Sequence, residues 1–183
     1  MVTAVDGRVT RGTRNREAIV DAVLACYESG ELRPSVPEVA ARAGVSTRSV
    51  HNHFVDVEAL RGEVAQRQFQ RYAPLIGAAA TIEDFVDQRA TVYEAISPVR
   101  RAALLTVHDS PTIANNLARA DRLFRRQLED TFPNVASDQI DVIELLSSWD
   151  AWNRLRQAQG CSVERARRVV IDAIRTLTEG KLT

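Results

Sequence analysis

The stretch Ser35-Val36-Pro37-Glu38-Val39-Ala40-Ala41-Arg42-Ala43-Gly44-Val45-Ser46-Thr47-Arg48-Ser49-Val50-His51-Asn52-His53-Phe54 contains two helix starts and one sharp stop. Ser35 followed three residues later by Glu38 has the form of a capping box, and Pro37 sits in the first turn, where a missing amide proton costs little. Gly44 ends that helix after Ala43, in a left-handed conformation that a β-branched residue resists. Ser46 caps a second short helix running through Phe54. Val39, Ala40, Val45, Val50 and Phe54 are the apolar positions that lock two short helices at a steep angle, and the small Ala40 and Ala43 allow close approach. The expected local structure is a helix-turn-helix; the competing reading is a plain helical hairpin inside a bundle.

The second helix favours the first reading. Its solvent face carries Thr47, Arg48, Ser49, His51, Asn52 and His53, all able to donate a hydrogen bond and none acidic. A helix entering the major groove uses such a face: Arg for guanine edges, Asn for adenine, hydroxyls and imidazoles for phosphate oxygens.

Working outward, the pattern is helical nearly throughout, and no stretch keeps the period-two alternation of a strand. Before the motif, Ile19, Val20, Val23, Leu24 and Tyr27 place a helix over Thr13–Ser29, stopped by Gly30. Residues 1–12 are polar and Gly-containing and read as a flexible arm, with Arg8, Arg11, Arg14 and Arg16 spaced along its end and into the helix. Those arginines are either a solvated tail or contacts to phosphate and minor groove. After the motif, Asp56 opens a helix carrying Leu60, Val64 and Phe69, and Thr81 opens one running to Ile96. Ser97-Pro98 and Ser110-Pro111 each pair an N-cap with proline at the first helical position. Ser137 opens a long helix ended by Gly160, and Ser162 opens the last, ended by Gly180. The expected fold is all-α, with about nine helices.

Composition narrows the partners. The 183 residues carry 24 basic and 24 acidic side chains, so no general electrostatic coating of nucleic acid is expected, only a local face. Lys181 is the sole lysine, which leaves Arg, His, hydroxyls and amides for phosphate contact. The apolar runs are too short to span a membrane and Met1–Arg16 has no signal-peptide core, so a cytoplasmic protein is expected. Two cysteines, Cys26 and Cys161, make neither a disulfide framework nor a zinc set, and the three histidines are not at paired ligand spacing. No metal or cofactor is implied. No glycine-rich phosphate loop, nucleophile elbow or recognisable catalytic His–Cys pairing points to an enzyme.

The segment Ala40-Ala41-Arg42-Ala43-Gly44-Val45-Ser46, followed by Val50, His53-Phe54 and Glu58-Ala59-Leu60, resembles the DNA-binding head of the TetR family of transcriptional regulators. The preceding helix, with Ile19, Ala22 and Ala25 before a Gly, fits the family's first helix. A closing Gly160-Cys161-Ser162-Val163-Glu164-Arg165-Ala166 turn, similar to the family's last interhelical turn, extends the likeness loosely to the end. The resemblance implies a three-helix DNA-binding head over residues 13–56 and a helical body over 57–183 for ligand binding and dimerisation. It implies a homodimer on a palindromic operator, its two heads about 34–36 Å apart, released by a small-molecule effector. By position, Thr47, Arg48, Ser49 and Asn52 take base-facing places, Ser35, His51 and His53 phosphate-facing ones, and Ser46 and Arg14 are grouped with them. Two positions depart: His51 stands where the family usually has tyrosine and Val57 where it has lysine. Losing one charged phosphate contact flattens the salt dependence by a slope of about 0.9, with Arg14, Arg16 or Arg61 as candidates to compensate.

In the body, Trp149 and Trp152 are three apart and share a helix face with Leu145, while Phe85, Arg89 and Tyr93 follow one another at four-residue spacing. With Phe124 they are read as lining an apolar cavity in which Arg89 or Asn153 orients a ligand; the plain alternative is core packing. His108 is either a cation at a helix C-terminus or a further wall of that cavity. On the last helix Val163, Ala166, Val170, Ala173 and Leu177 follow three-four spacing, and Val169, Ile171 and Ile174 widen the stripe beyond one side. With Ile140, Ile143 and Ala151 on the preceding helix, this predicts a four-helix interface with a second copy. A different function also fits the sequence: a helical ligand-binding or interaction protein whose head is degenerate for DNA, motivated by Val57, His51 and the zero net charge.

Overall fold

The computed structural model describes residues 3–179, with side chains from Arg11 to Thr178. Gly180, expected to stop the last helix, lies outside them. Among the described residues there are helices and no strands. In chain order they are α1 Thr3–Glu28, α2 Val36–Ala43, α3 Thr47–His53, α4 Val57–Tyr72, α5 Ile82–Leu104, α6 Pro111–Thr131, α7 Ser137–Leu146, α8 Trp149–Asn153 and α9 Val163–Glu179. None is long and apolar enough to cross a membrane.

The helices form two compact units. The first takes the chain up to Phe69 together with Pro98–Leu117. Its core is Ile19, Val20, Val23 and Leu24 of α1, Val39 and Ala40 of α2, Val50 of α3, Phe54, and Val64 of α4. Fully buried aliphatic side chains of this kind contribute about 1.5–3 kcal/mol each. Packing therefore continues past residue 56, because α4 turns Val64 into the same core. The start of α6 belongs here as well: Ser110 is fully buried, caps α6 by accepting from the Ile113 amide (3.1 Å), and donates to Glu58 of α4 (2.6 Å).

The second unit comprises Gln70–Ser97 and the chain from Ala118 onward. Two clusters fill it. One gathers Val92, Tyr93, Phe124, Trp149, Trp152 and Ala166; the other gathers Phe85, Val86, Leu128, Ile140, Ile143, Val170 and Ile174.

Three expectations about the elements are corrected. Residues 3–12, read as an arm, are helical: no proline interrupts residues 3–28, and lengthening a formed helix costs far less than nucleating one. Pro98 does not start a helix but sits inside α5, where the Ser97 hydroxyl donates back to the Tyr93 carbonyl (2.6 Å). The helix expected to run from Ser137 to Gly160 breaks at Ser147-Ser148. The Ser147 hydroxyl donates to the Ile143 carbonyl (2.6 Å), and the Ser148 hydroxyl accepts from the Ala151 amide (3.2 Å), giving the backbone a local alternative to the helix. A π-helical turn, Arg154–Ala158, follows α8. The break also separates Leu145, 68% exposed, from the buried tryptophans expected on its face. Cys161, in the turn after Gly160, is buried.

Candidate functional site

The capping box at Ser35 is fully formed: the Ser35 amide donates to the Glu38 carboxylate (2.7 Å) and the Glu38 amide to the Ser35 hydroxyl. At the other end of α2, Gly44 takes φ +66°, its amide bonded to the Ala41 carbonyl (3.3 Å) and that of Val45 to the Ala40 carbonyl (3.0 Å). These paired bonds of a Schellman ending, with the left-handed residue at its centre, set the turn between α2 and α3. Ser46 then caps α3 by accepting from the Ser49 amide (3.1 Å).

On α3 the side chains divide cleanly. Val50, and Phe54 just beyond, are buried; Thr47, Arg48, His51 and Asn52 are exposed, and Ser49 and His53 half-buried. No carboxylate interrupts residues 46–53. The helix is backed by Arg16, whose guanidinium lies 4.4 Å from the centre of the Phe54 ring, donates to the His53 carbonyl and pairs with Glu63. Arg16 is thus an internal brace of α1, α3 and α4.

The other expected phosphate partners differ in their engagement. Arg14 is exposed on α1. Arg61 pairs with Glu58 (2.8 Å), so of the three arginines proposed to compensate for Val57, two are ion-paired within the fold. Val57 itself is half-exposed at the start of α4. Ser35 is exposed, but its hydroxyl donates to Glu38 (2.6 Å), and that bond, with the Ser35 amide, holds the Glu38 carboxyl below the usual range. The His53 ring lies beside the α1 backbone at Gly12, whose added Cβ would stand 3.9 Å from it.

In the second unit the structure brings together Phe85, Arg89, Tyr93, Phe124, Trp149 and Trp152, all buried. Tyr93 packs on Phe124 (ring centres 5.0 Å apart) and on Trp152 (6.5 Å). Arg89 lies over Phe85 (4.4 Å) and Phe124 (5.4 Å). Its Nε donates to Gln127 (3.0 Å), Nη1 to the Ser147 carbonyl (2.9 Å) and hydroxyl (2.8 Å), and Nη2 to the Phe124 carbonyl (2.6 Å). Burial pushes the guanidinium pKa down. The space beside it is a void of about 10 Å³, bounded by Arg89, Tyr93, Ser147 and Trp152 with Val86 and Val170. That is room for roughly one water, so the expected cavity is largely filled by its own walls.

His108 is not part of this cluster; it is exposed on a single 3-10 turn, Val107–Asp109, in the first unit. Sequence reading missed Gln127 and Ser147, the polar partners of Arg89. Gln127 was the legible one, a neutral amide between Phe124 and Leu128; Ser147 became a partner only because the helix breaks there. Among the described residues no group of acidic, Cys and His side chains could hold a metal ion.

No protein-family model matches the sequence, and no curated protein matches it. Solved structures do match. A transcriptional regulator from Rhodococcus superposes with a TM-score of 0.70 over 90% of this chain and 96% of its own, at 16% identity. A protein from Mesorhizobium loti assigned to the TetR family of transcriptional regulators gives 0.64 over 91% and 98%, at 18% identity. The chain has the TetR-family fold. A further TetR transcriptional regulator from Rhodococcus matches over 92% and 97% with a TM-score of 0.56, at 18% identity. The likeness thus spans nearly the whole of each chain, well beyond the helix-turn-helix where the sequence resemblance is strongest.

Proposed function

We propose that this protein is a DNA-binding transcriptional regulator, acting as a homodimeric repressor on a palindromic operator and released by a small molecule. The observation that carries the reading is the exposed, carboxylate-free row of donors on α3, held from behind by Val50, Phe54 and Arg16. Arg48 and Asn52 read base edges; Thr47, Ser46 and His51 stand at the positions for edges and phosphates. Dimerisation uses α7 and α9, which bury Ile140, Ile143, Val170 and Ile174 within the unit and leave Val142, Leu145 and Val169 exposed. The effector acts at the Arg89 and tryptophan cluster.

The test is selection of duplexes from random DNA by the full chain at low salt, followed by affinity measurement for Arg48→Ala and Asn52→Ala. An inverted repeat is expected to emerge, each substitution weakening it by about 1–3 kcal/mol and relaxing preference at one position. A folded protein that enriches no sequence would instead support the second reading, a ligand-binding protein with a degenerate head. That reading is favoured by one specific observation: Val57 is apolar, while Arg16 and Arg61 are engaged by Glu63 and Glu58.

A further inference from the structure

We propose that the effector carries a carboxylate, which the Arg89 guanidinium binds in exchange for Ser147 at the break between α7 and α8. The inference rests on the regulator reading for the word effector, but the binding chemistry stands on the second unit alone.

Arg89 is 2% exposed, and the groups around its guanidinium are neutral: an amide, two carbonyls and the Ser147 hydroxyl, with the Tyr93 hydroxyl beside them. Among the described residues no carboxylate is in ion-pair contact with Arg89; Glu144, engaged by Arg125, favours the charge only from a distance. Removing a guanidinium from water without a counter-ion costs several kcal/mol even after relaxation, and an apolar side chain of similar volume packs between Phe85 and Phe124 without that cost. The charge is therefore poorly explained by packing. Its charged donors bond a carboxylate more strongly than they bond neutral oxygens.

The void beside the fork is too small to admit a carboxylate in addition to the present acceptors. One acceptor must leave, and the structure distinguishes them. The Phe124 carbonyl is fixed within α6. The Gln127 amide is held from its other end by Gln88 (2.9 Å) and the Gly77 carbonyl (3.2 Å). Ser147, by contrast, ends α7 at a break already present, ahead of the five-residue α8 and a π-helical turn, a conformation rarely kept without cause. It occupies both Nη1 donors of Arg89 and also accepts from the Tyr93 hydroxyl (3.0 Å). A carboxylate in its place accepts from Nη1 of Arg89 and from the Tyr93 hydroxyl, with Trp152 and Val170 as apolar walls for the body of the ligand. The displaced segment is the link from α7 to α8, so occupancy is read out as movement of that link.

The chain contains two tryptophans, Trp149 and Trp152, so their fluorescence reports on this site directly. Titrations with benzoate and hexanoate are compared with benzamide and hexanamide at constant ionic strength. At least one carboxylate is expected to give a saturable change, with its amide about tenfold weaker or more. Arg89→Met abolishes the response at unchanged helicity. Ser147→Ala removes a competing acceptor and tightens carboxylate binding about threefold or more. Absence of saturation with both acids, equal response to the amides, or binding retained in Arg89→Met overturns the proposal. If Arg89→Met does not fold, Ser147→Ala decides, and no gain in affinity overturns it. None of these measurements contains DNA, so failure here and failure of operator selection are separate results.

Discussion

Arg16 illustrates how a side chain that reads as a phosphate contact is committed elsewhere. Its ring contact, carbonyl bond and ion pair all face inward to Phe54, His53 and Glu63. Because the guanidinium is partly exposed, the ion pair adds little; the Phe54 contact and the charge-assisted bond set the effect. Arg16→Leu is expected to lower unfolding free energy by about 1 kcal/mol in urea titration and to weaken operator binding through a loosened α3. The opposite case is Val57, half-exposed where a cation would serve. Val57→Lys should strengthen binding to every sequence alike and steepen the dependence of log affinity on log salt by about 0.9, without changing preference. A steeper slope with altered preference would mean that residue 57 faces a base. The donor row from Thr47 to His53 was legible because helix periodicity alone decides which side chains face out. The role of Arg16 was not, since its partner carbonyl lies 37 residues further along.

Elements were readable where their ends are written in local chemistry. Ser35, Ser46, Thr81, Ser110 and Ser162 cap as their sequence positions predict. At Gly44 an added Cβ meets nothing within 4 Å, so Gly44→Ala carries only the strain of φ +66°. A loss of about 1–2 kcal/mol is expected in thermal or urea unfolding, with Gly44→Asn milder. Errors came where one signal had two readings. Ser97-Pro98 has the form of a helix start, yet proline is tolerated within α5; Ser147-Ser148 sits in an apolar rhythm that continues on both sides, yet its hydroxyls end the helix. The joint between α4 and α6 has its own pH signature. Glu58 is held below the ordinary carboxyl range first by the Ser110 hydroxyl and then by Arg61. Its folded pKa is depressed, so its contribution is fully present above the unfolded value of about 4.3 and is lost as pH falls through the folded one. The stability difference between the wild type and Glu58→Gln should accordingly be constant above about pH 5 and shrink below about pH 4. A difference that persists in acid would mean that the Ser110 bond does not depend on the charge.

At the scale of the whole molecule, the sequence suggested contiguous domains, whereas the compact units are discontinuous and their boundaries fall inside α4, α5 and α6. Local patterns do not reveal such interleaving, because it depends on which distant faces meet. The stripe on the last helices is different: its width alone predicts two buried sides. One side is now accounted for, with Ile143 and Ile174 fully buried between α7 and α9. The other leaves Val142 and Leu145, three apart on α7, and Val169 on α9 at 41%, 68% and 44% exposure. In the proposed dimer a second copy would supply an equivalent helix pair, and a two-fold axis would make the same residues self-complementary. Placing charge there sets like against like across the axis and costs several kcal/mol by desolvation, while the core of each copy stays intact. Leu145→Glu with Val169→Glu is therefore expected to sediment as a monomer at micromolar concentration with wild-type helicity. Operator affinity should fall with it, because two heads on separate chains lose the effective concentration that linkage gives the second half-site. If the doubly substituted chain remains a dimer, α7 and α9 do not form the interface, and the width of the apolar stripe has another cause.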